Sequence, residues 1–144
     1  MKHRSAAAAP APVRLPALVL VAHGPSARIR LEDGRELVAR AAGRELQCVC
    51  GDEVLCTNDS RHAQWQIEAV RPRRSTLYRS SARGRAELVA ANLTLLVVVV
   101  APQPAPDLFL VDRYLAAAAS AGIDSLLLAN KADQEFTPDV RLEL

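Results

Sequence analysis

Over its first half the chain alternates apolar and polar residues in short runs broken by turn formers. Residues 15–22 (LPALVLVA), 27–31 (ARIRL) and 36–41 (ELVARA) have the length and period of strands, and "HGPS" and "EDGR" between them are turn signals. Residues 53–57 and 64–70 repeat the pattern after the breaks "CGD" and "TNDS", and residues 76–78 offer a sixth short run. Five or six short strands with little helix predict a small β-barrel, with an OB-like barrel as the leading choice. From Ala86 the pattern changes. Residues 93–101 (LTLLVVVVA) form one continuous apolar run of buried-strand length, "PQPAPD" is a loop, and residues 108–121 have helical spacing through Phe109, Asp112, Leu115 and Ala116. Asp107 is a candidate N-cap and Gly122 a candidate C-cap, and residues 125–129 are the next strand. The second half therefore predicts a βαβ unit.

The domain organisation that follows is an Ala/Pro-rich arm over residues 1–14 expected to be disordered, a barrel over 15–85 and an α/β portion over 86–144. The arm carries basic residues ahead of residues 15–22, as a secretory signal would. Pro10, Pro12 and Pro16 interrupt that region, and the apolar run reads as the first strand. No run reaches the ~18 apolar residues of a membrane helix.

Charge separates the two halves. The chain has a formal net charge of +2, but residues 1–85 hold 15 Lys and Arg against 8 Asp and Glu, whereas residues 86–144 hold 3 against 8. The first half suits a polyanionic partner and the second does not. Cys48, Cys50 and Cys56 are odd in number and lack paired C-x-x-C spacing, which argues against a disulfide framework and a zinc site and in favour of a reducing cytoplasm. They are read as core filling.

The chemistry concentrates at "LLLANKAD", residues 126–133, where an apolar run ends and Asn130, Lys131 and Asp133 follow. A carboxylate only accepts hydrogen bonds, so Asp133 suits an edge with two adjacent N–H donors. The Asn130 amide donates and accepts, and the Lys131 stem offers a surface for a flat ring. Guanine presents such an edge at N1–H and its exocyclic amine. In open α/β sheets ligands bind outside the carboxyl ends of the strands, where this tetrapeptide falls if residues 125–129 are a parallel strand. Asn130, Lys131 and Asp133 match the N-K-x-D guanine-specificity motif of the P-loop GTPases. The bland alternative is a turn and a helix cap. Lys2 and Lys131 are the only lysines in an Arg-biased chain. A conventional GTPase would carry a G-x-x-x-x-G-K-[ST] phosphate loop ahead of this motif, yet no two of the six glycines have that spacing. Either the motif is accidental, or the phosphate loop follows it in a rearranged chain order.

A barrel joined to a βαβ unit that carries N-K-x-D resembles the RsgA family of circularly permuted GTPases. "GDEV" (51–54), "IEAVRPRRSTLYR" (67–79), "AAN" (90–92), "VDRYL" (111–115), "AGI" (121–123) and "NKAD" look like that family's landmarks in the family's order. Thr94 and Leu95 depart from the Asp and Gln usual there. The resemblance implies an OB-like barrel followed by the first βαβ portion of a circularly permuted P-loop GTPase domain. The function it implies is that of a cytoplasmic, monomeric GTPase that assists late maturation of the small (30S) ribosomal subunit. The barrel would bind 16S ribosomal RNA, GTP or GDP would bind the α/β domain through Asn130, Lys131 and Asp133, and Mg²⁺ would serve the complete protein. The family's phosphate loop, switch regions and zinc site would lie past Leu144, which makes the chain an expected fragment without GTP hydrolysis of its own. No catalytic residue is assigned, and neither DNA nor a membrane is an expected partner.

The basic segment supplies the RNA-binding candidates: Arg71, Arg73, Arg74, Arg79, Arg83 and Arg85 fall close together with no acid among them. The guanidinium fork suits phosphate oxygens. Trp65 and Tyr78 are too few for a base-stacking platform, so phosphate and shape contacts with structured RNA are expected, and Trp65 is read as core. The alternative for the segment is a solvated face. His23 and His62 fall in turns and receive no role. The alternative function, from another class, is a stand-alone RNA-binding barrel without nucleotide hydrolysis.

Overall fold

In β2 (Ser26–Leu31) every second residue is inside: Ala27, Ile29 and Leu31 are buried while Arg28 and Arg30 face solvent. That period of two is what a strand with one packed face requires. The computed structural model describes residues 13–43, 45–59, 64–81, 84–131, 133–138 and 140. The arm expected over residues 1–14 lies outside the described residues up to residue 12, and Arg14 already belongs to a strand.

β1 (Arg14–His23), β2, β3 (Glu36–Ala41), β4 (Glu53–Asp59) and β5 (Gln64–Val70) close into a barrel in the order β1-β2-β3-β5-β4. Neighbours are antiparallel except β3 and β5, which pair in parallel over Ala39↔Trp65, Arg40↔Gln66 and Ala41↔Ile67. Register shifts in β1 between Val19 and Val21 and in β4–β5 between Leu55 and Cys56 supply the bends that closure of a small barrel needs. Val19, Ile29, Val54, Cys56 and Ile67 fill the interior, with Trp65 and Cys48 packed against them. The Cys56 thiol donates to the Leu15 carbonyl at 3.2 Å, and burial pushes its pKa up. All three cysteines are free, Cys48 half-buried and Cys50 exposed. Asp52 is fully buried. Its carboxylate accepts the Val49 N–H at 2.8 Å, and its carbonyl accepts the Val19 N–H at 2.8 Å, so the turn before β4 is fastened to β1.

The sequence run at 76–78 does not extend the barrel. It becomes β6 (Thr76–Ser80), which pairs antiparallel with β7 (Ala86–Ala91) in a separate two-stranded sheet. The two compact units divide between Pro72 and Arg73, so this hairpin belongs to the second unit and not, as the 85/86 division would have it, to the barrel. β7 escaped the sequence reading because AELVAA is half alanine, a residue with little strand preference.

Within the second unit, β8 (Leu95–Val100) and β9 (Asp124–Ala129) are parallel, in register from Leu95↔Asp124 to Val100↔Ala129, with α1 (Leu108–Ser120) as the crossover. Asp107 caps the helix by accepting the Leu110 N–H at 3.2 Å. At the other end Gly122 takes φ +66°, and the Ile123 N–H returns to the Ala118 carbonyl at 2.9 Å. The helix is where the spacing put it, but its packed stripe is different. Val111 and Ala118 are buried, whereas Phe109 is 72% exposed under the Arg113 guanidinium, and Asp112 and Ala116 face solvent. Ala118 joins Leu77 and Ile123 in a small core that Leu93, Leu96, Ala117 and Ala121 complete.

Candidate nucleotide-binding site

β8 and β9 run parallel, so both end at the same edge, and the candidate residues follow directly from that edge. The Asn130 N–H donates to the Val100 carbonyl at 2.8 Å, one last ladder bond past β9. The chain then turns sharply. The Asn130 side-chain oxygen accepts the Lys131 N–H at 2.8 Å, and Lys131 adopts φ +56°, a conformation that a non-glycine residue takes at some cost. The Gln134 N–H returns to the Lys131 carbonyl at 2.9 Å. From the Lys131 stem the ammonium reaches the Gln103 carbonyl at 2.5 Å in the loop that leaves β8. A cation and a carbonyl thus join the two loops at the carboxyl ends of the parallel strands, the edge at which open α/β sheets bind ligands.

Asn130, Lys131 and Asp133 are all exposed. Ala132 lies outside the described residues. The Asp133 carboxylate makes no ion pair or side-chain hydrogen bond among the described residues, so both oxygens can accept from a ligand. The Asn130 amide keeps its two N–H donors. Gln103 has no signal in the sequence, because it contributes a backbone carbonyl that any residue has. Among the described residues no three His, Cys, Asp or Glu side chains come together as a metal-holding group.

The basic segment is divided between the two units. Arg71 ends the first: its N–H donates to the Glu53 carbonyl at 2.8 Å, and its guanidinium lies 4.0 Å from the Glu53 carboxylate. Arg73 and Arg74 open the second, where the Arg74 N–H donates to the Asn92 side chain at 2.8 Å. Arg79 pairs with Glu87 at 3.0 Å, and that hydrogen bond raises the guanidinium pKa further. Arg85 exchanges bonds with Ser81 across the β6–β7 turn. Arg83 lies outside the described residues. The run free of acids in sequence is thus not free of them in space, because β4 and β7 bring Glu53 and Glu87 alongside.

Comparison with known proteins agrees with this architecture. A sequence model described as RsgA GTPase matches residues 70–142. A protein of Azotobacter vinelandii named small ribosomal subunit biogenesis GTPase RsgA is 41% identical over 121 residues, covering 81% of this chain and 35% of the relative. One of the same name from Neisseria meningitidis is 36% identical over 117 residues, covering 81% and 38%. The chain therefore spans about a third of the length of these curated relatives. Among solved structures, that of YloQ, a circularly permuted GTPase, superposes with a TM-score of 0.61 at 16% identity, over 91% of this chain and 45% of that one. That likeness bears on the fold, a closed barrel followed by part of a permuted α/β domain. The matched stretch runs through the hairpin, the parallel pair and the turn at Asn130, and by that match the chain belongs to the RsgA GTPase family.

Proposed function

We propose that the chain is the barrel and guanine-reading portion of a cytoplasmic GTPase that assists assembly of the small ribosomal subunit. Asp133 accepts the N1–H and exocyclic amine of guanine, Asn130 fixes the turn and contacts the ring, and the Lys131 stem lies along it. Arg71, Arg73 and Arg74 contact ribosomal RNA through phosphates, while Arg79, and Arg71 in part, share their charge with a neighbouring acid. The observation that carries the nucleotide reading is the turn closed by Asn130 at the carboxyl end of β9, which leaves the Asp133 carboxylate exposed. The relatives' name supports the ribosomal role.

With no phosphate loop in these residues, affinity for the base alone is weak, on the order of millimolar, or about 4 kcal/mol. The test is a guanosine titration followed by amide chemical shifts. Shifts at Asn130, Lys131 and Asp133 that saturate with guanosine and not with adenosine are expected. Absence of shifts, or equal shifts with adenosine, would overturn the reading. The chain by itself is expected to hydrolyse no GTP, because phosphoryl transfer depends on positioned phosphate and Mg²⁺ ligands. Turnover that Asp133→Ala abolishes would show otherwise.

A further inference from the structure

Parallel strands are ordinarily covered on both faces, and the β8–β9 pair is covered on one. Leu96 packs into the helix-side core and Val100 is buried, whereas Leu95, Val97 and Val99 on β8 and Leu126 and Leu128 on β9 are between 42% and 57% exposed. The register sets Val97 opposite Leu126 and Val99 opposite Leu128, so the five side chains are contiguous. Asp124, opposite Leu95 at the start of β9, is the one charged residue on this face of the two strands. Five half-exposed aliphatic side chains make a patch on the order of 400 Å², as large as those that mark association sites.

From this geometry we infer that the outer β8–β9 face is a self-association surface, covered by the same face of a second copy of this chain. The family resemblance implied a monomer; the face argues for a weak dimer of these residues. Two such faces stack as aligned sheets do, about 10 Å apart. A two-fold axis running across the strands sets the two pairs in opposite directions. Asp124 of one copy then lies over the carboxyl end of the partner's β9, and the two carboxylates stay apart by about the length of a six-residue strand, roughly 17–20 Å. Facing copies bury on the order of 800 Å² of apolar surface, which with a polar rim reaches the ~1,000–1,200 Å² where specific interfaces begin. An interface of that size holds weakly, with a Kd on the order of 0.1 mM, so the face is in solvent at low micromolar concentration. An anionic lipid surface fits less well, because residues 86–144 hold 3 Lys and Arg against 8 Asp and Glu. The same imbalance makes two copies repel through charge while the apolar face holds them, so salt strengthens the dimer.

The test is sedimentation equilibrium of the full chain from about 10 µM to 1 mM, with amide chemical shifts followed over the same range. Monomer and dimer in exchange are expected, with concentration-dependent shifts at residues 95–99 and 126–128 and tighter association at higher salt. Val97→Thr/Leu126→Thr, which keeps strand-compatible residues at exposed positions, is expected to weaken association about tenfold or more. Leu128→Lys, which places a charge in the interface, is expected to abolish it within this range. Val38→Thr, at a 64% exposed barrel position, serves as the control and is expected to associate as wild type does. Circular dichroism establishes that each variant is folded. A wild-type chain that stays at monomer mass throughout would overturn the inference. So would wild-type association in both face variants, shifts confined to the barrel strands, or association that weakens with salt. Growth past the dimer would also refute it and assign association to the open edges of β8 and β9.

Discussion

Asp133 can only accept hydrogen bonds while it is ionised, and that single property is what selects guanine in the proposed site. Asp133→Asn replaces one acceptor oxygen with a donor. The variant then meets the guanine N–H edge with a mismatched pair, while its new N–H can donate to the extra carbonyl of xanthine. A mismatched polar contact costs about 1–3 kcal/mol, so the ratio of guanosine to xanthosine affinity is expected to fall about tenfold or more. Competition between the two nucleosides, read from the same amide shifts, checks this, and an unchanged ratio would remove Asp133 from the base contact. At this scale the sequence speaks through side-chain types, and the proposal for Asn130, Lys131 and Asp133 rests on those types. It was silent on Gln103, whose carbonyl holds the Lys131 ammonium, because backbone groups leave no mark in composition or spacing. It also counted Arg71 and Arg79 as free charges, since pairing with Glu53 and Glu87 depends on register between strands.

Elements were read from period, and period served best where one face alone is packed. The five barrel strands show it. The continuous run of β8 is different, because a run of valines has no alternation to assign its faces, and burial on both faces was the expectation. In the structure the faces differ: Val100 is 4% exposed and Leu96 packs into the helix-side core, while Leu95, Val97 and Val99 on β8 and Leu126 and Leu128 on β9 are substantially exposed. The pairs Val97↔Leu126 and Val99↔Leu128 make that outer face continuous. A hydroxyl therefore has different consequences at neighbouring positions. Val99→Thr keeps a β-branched side chain in solvent and is expected to change stability by less than about 0.5 kcal/mol. Val100→Thr buries a hydroxyl and is expected to cost about 1–3 kcal/mol. Urea denaturation of the two variants checks the contrast, and equal losses would mean that both faces of β8 are packed.

For the whole chain, the sequence announced the order of barrel and α/β unit and missed how the barrel ends. Five strands suffice because β3 and β5 pair in parallel and close the ring, a non-local contact that no local pattern encodes. Closure has an energetic consequence. A closed ring has no free edge strand from which to fray, and Val19, Ile29, Val54, Cys56 and Ile67 share one interior, so the barrel is expected to open as a unit. Ile29 is fully buried in that interior. Ile29→Ala removes side-chain volume that the surrounding strands can recover only in part, at a cost of about 2–5 kcal/mol. Hydrogen exchange is the informative measurement, because it resolves where the loss is felt. The amides that exchange only through barrel opening are expected to lose protection by a similar amount in all five strands, β4 and β5 as much as β2. Loss confined to β2 and its two neighbours would mean that the ring opens locally and that the parallel β3–β5 pair does not make the barrel cooperative.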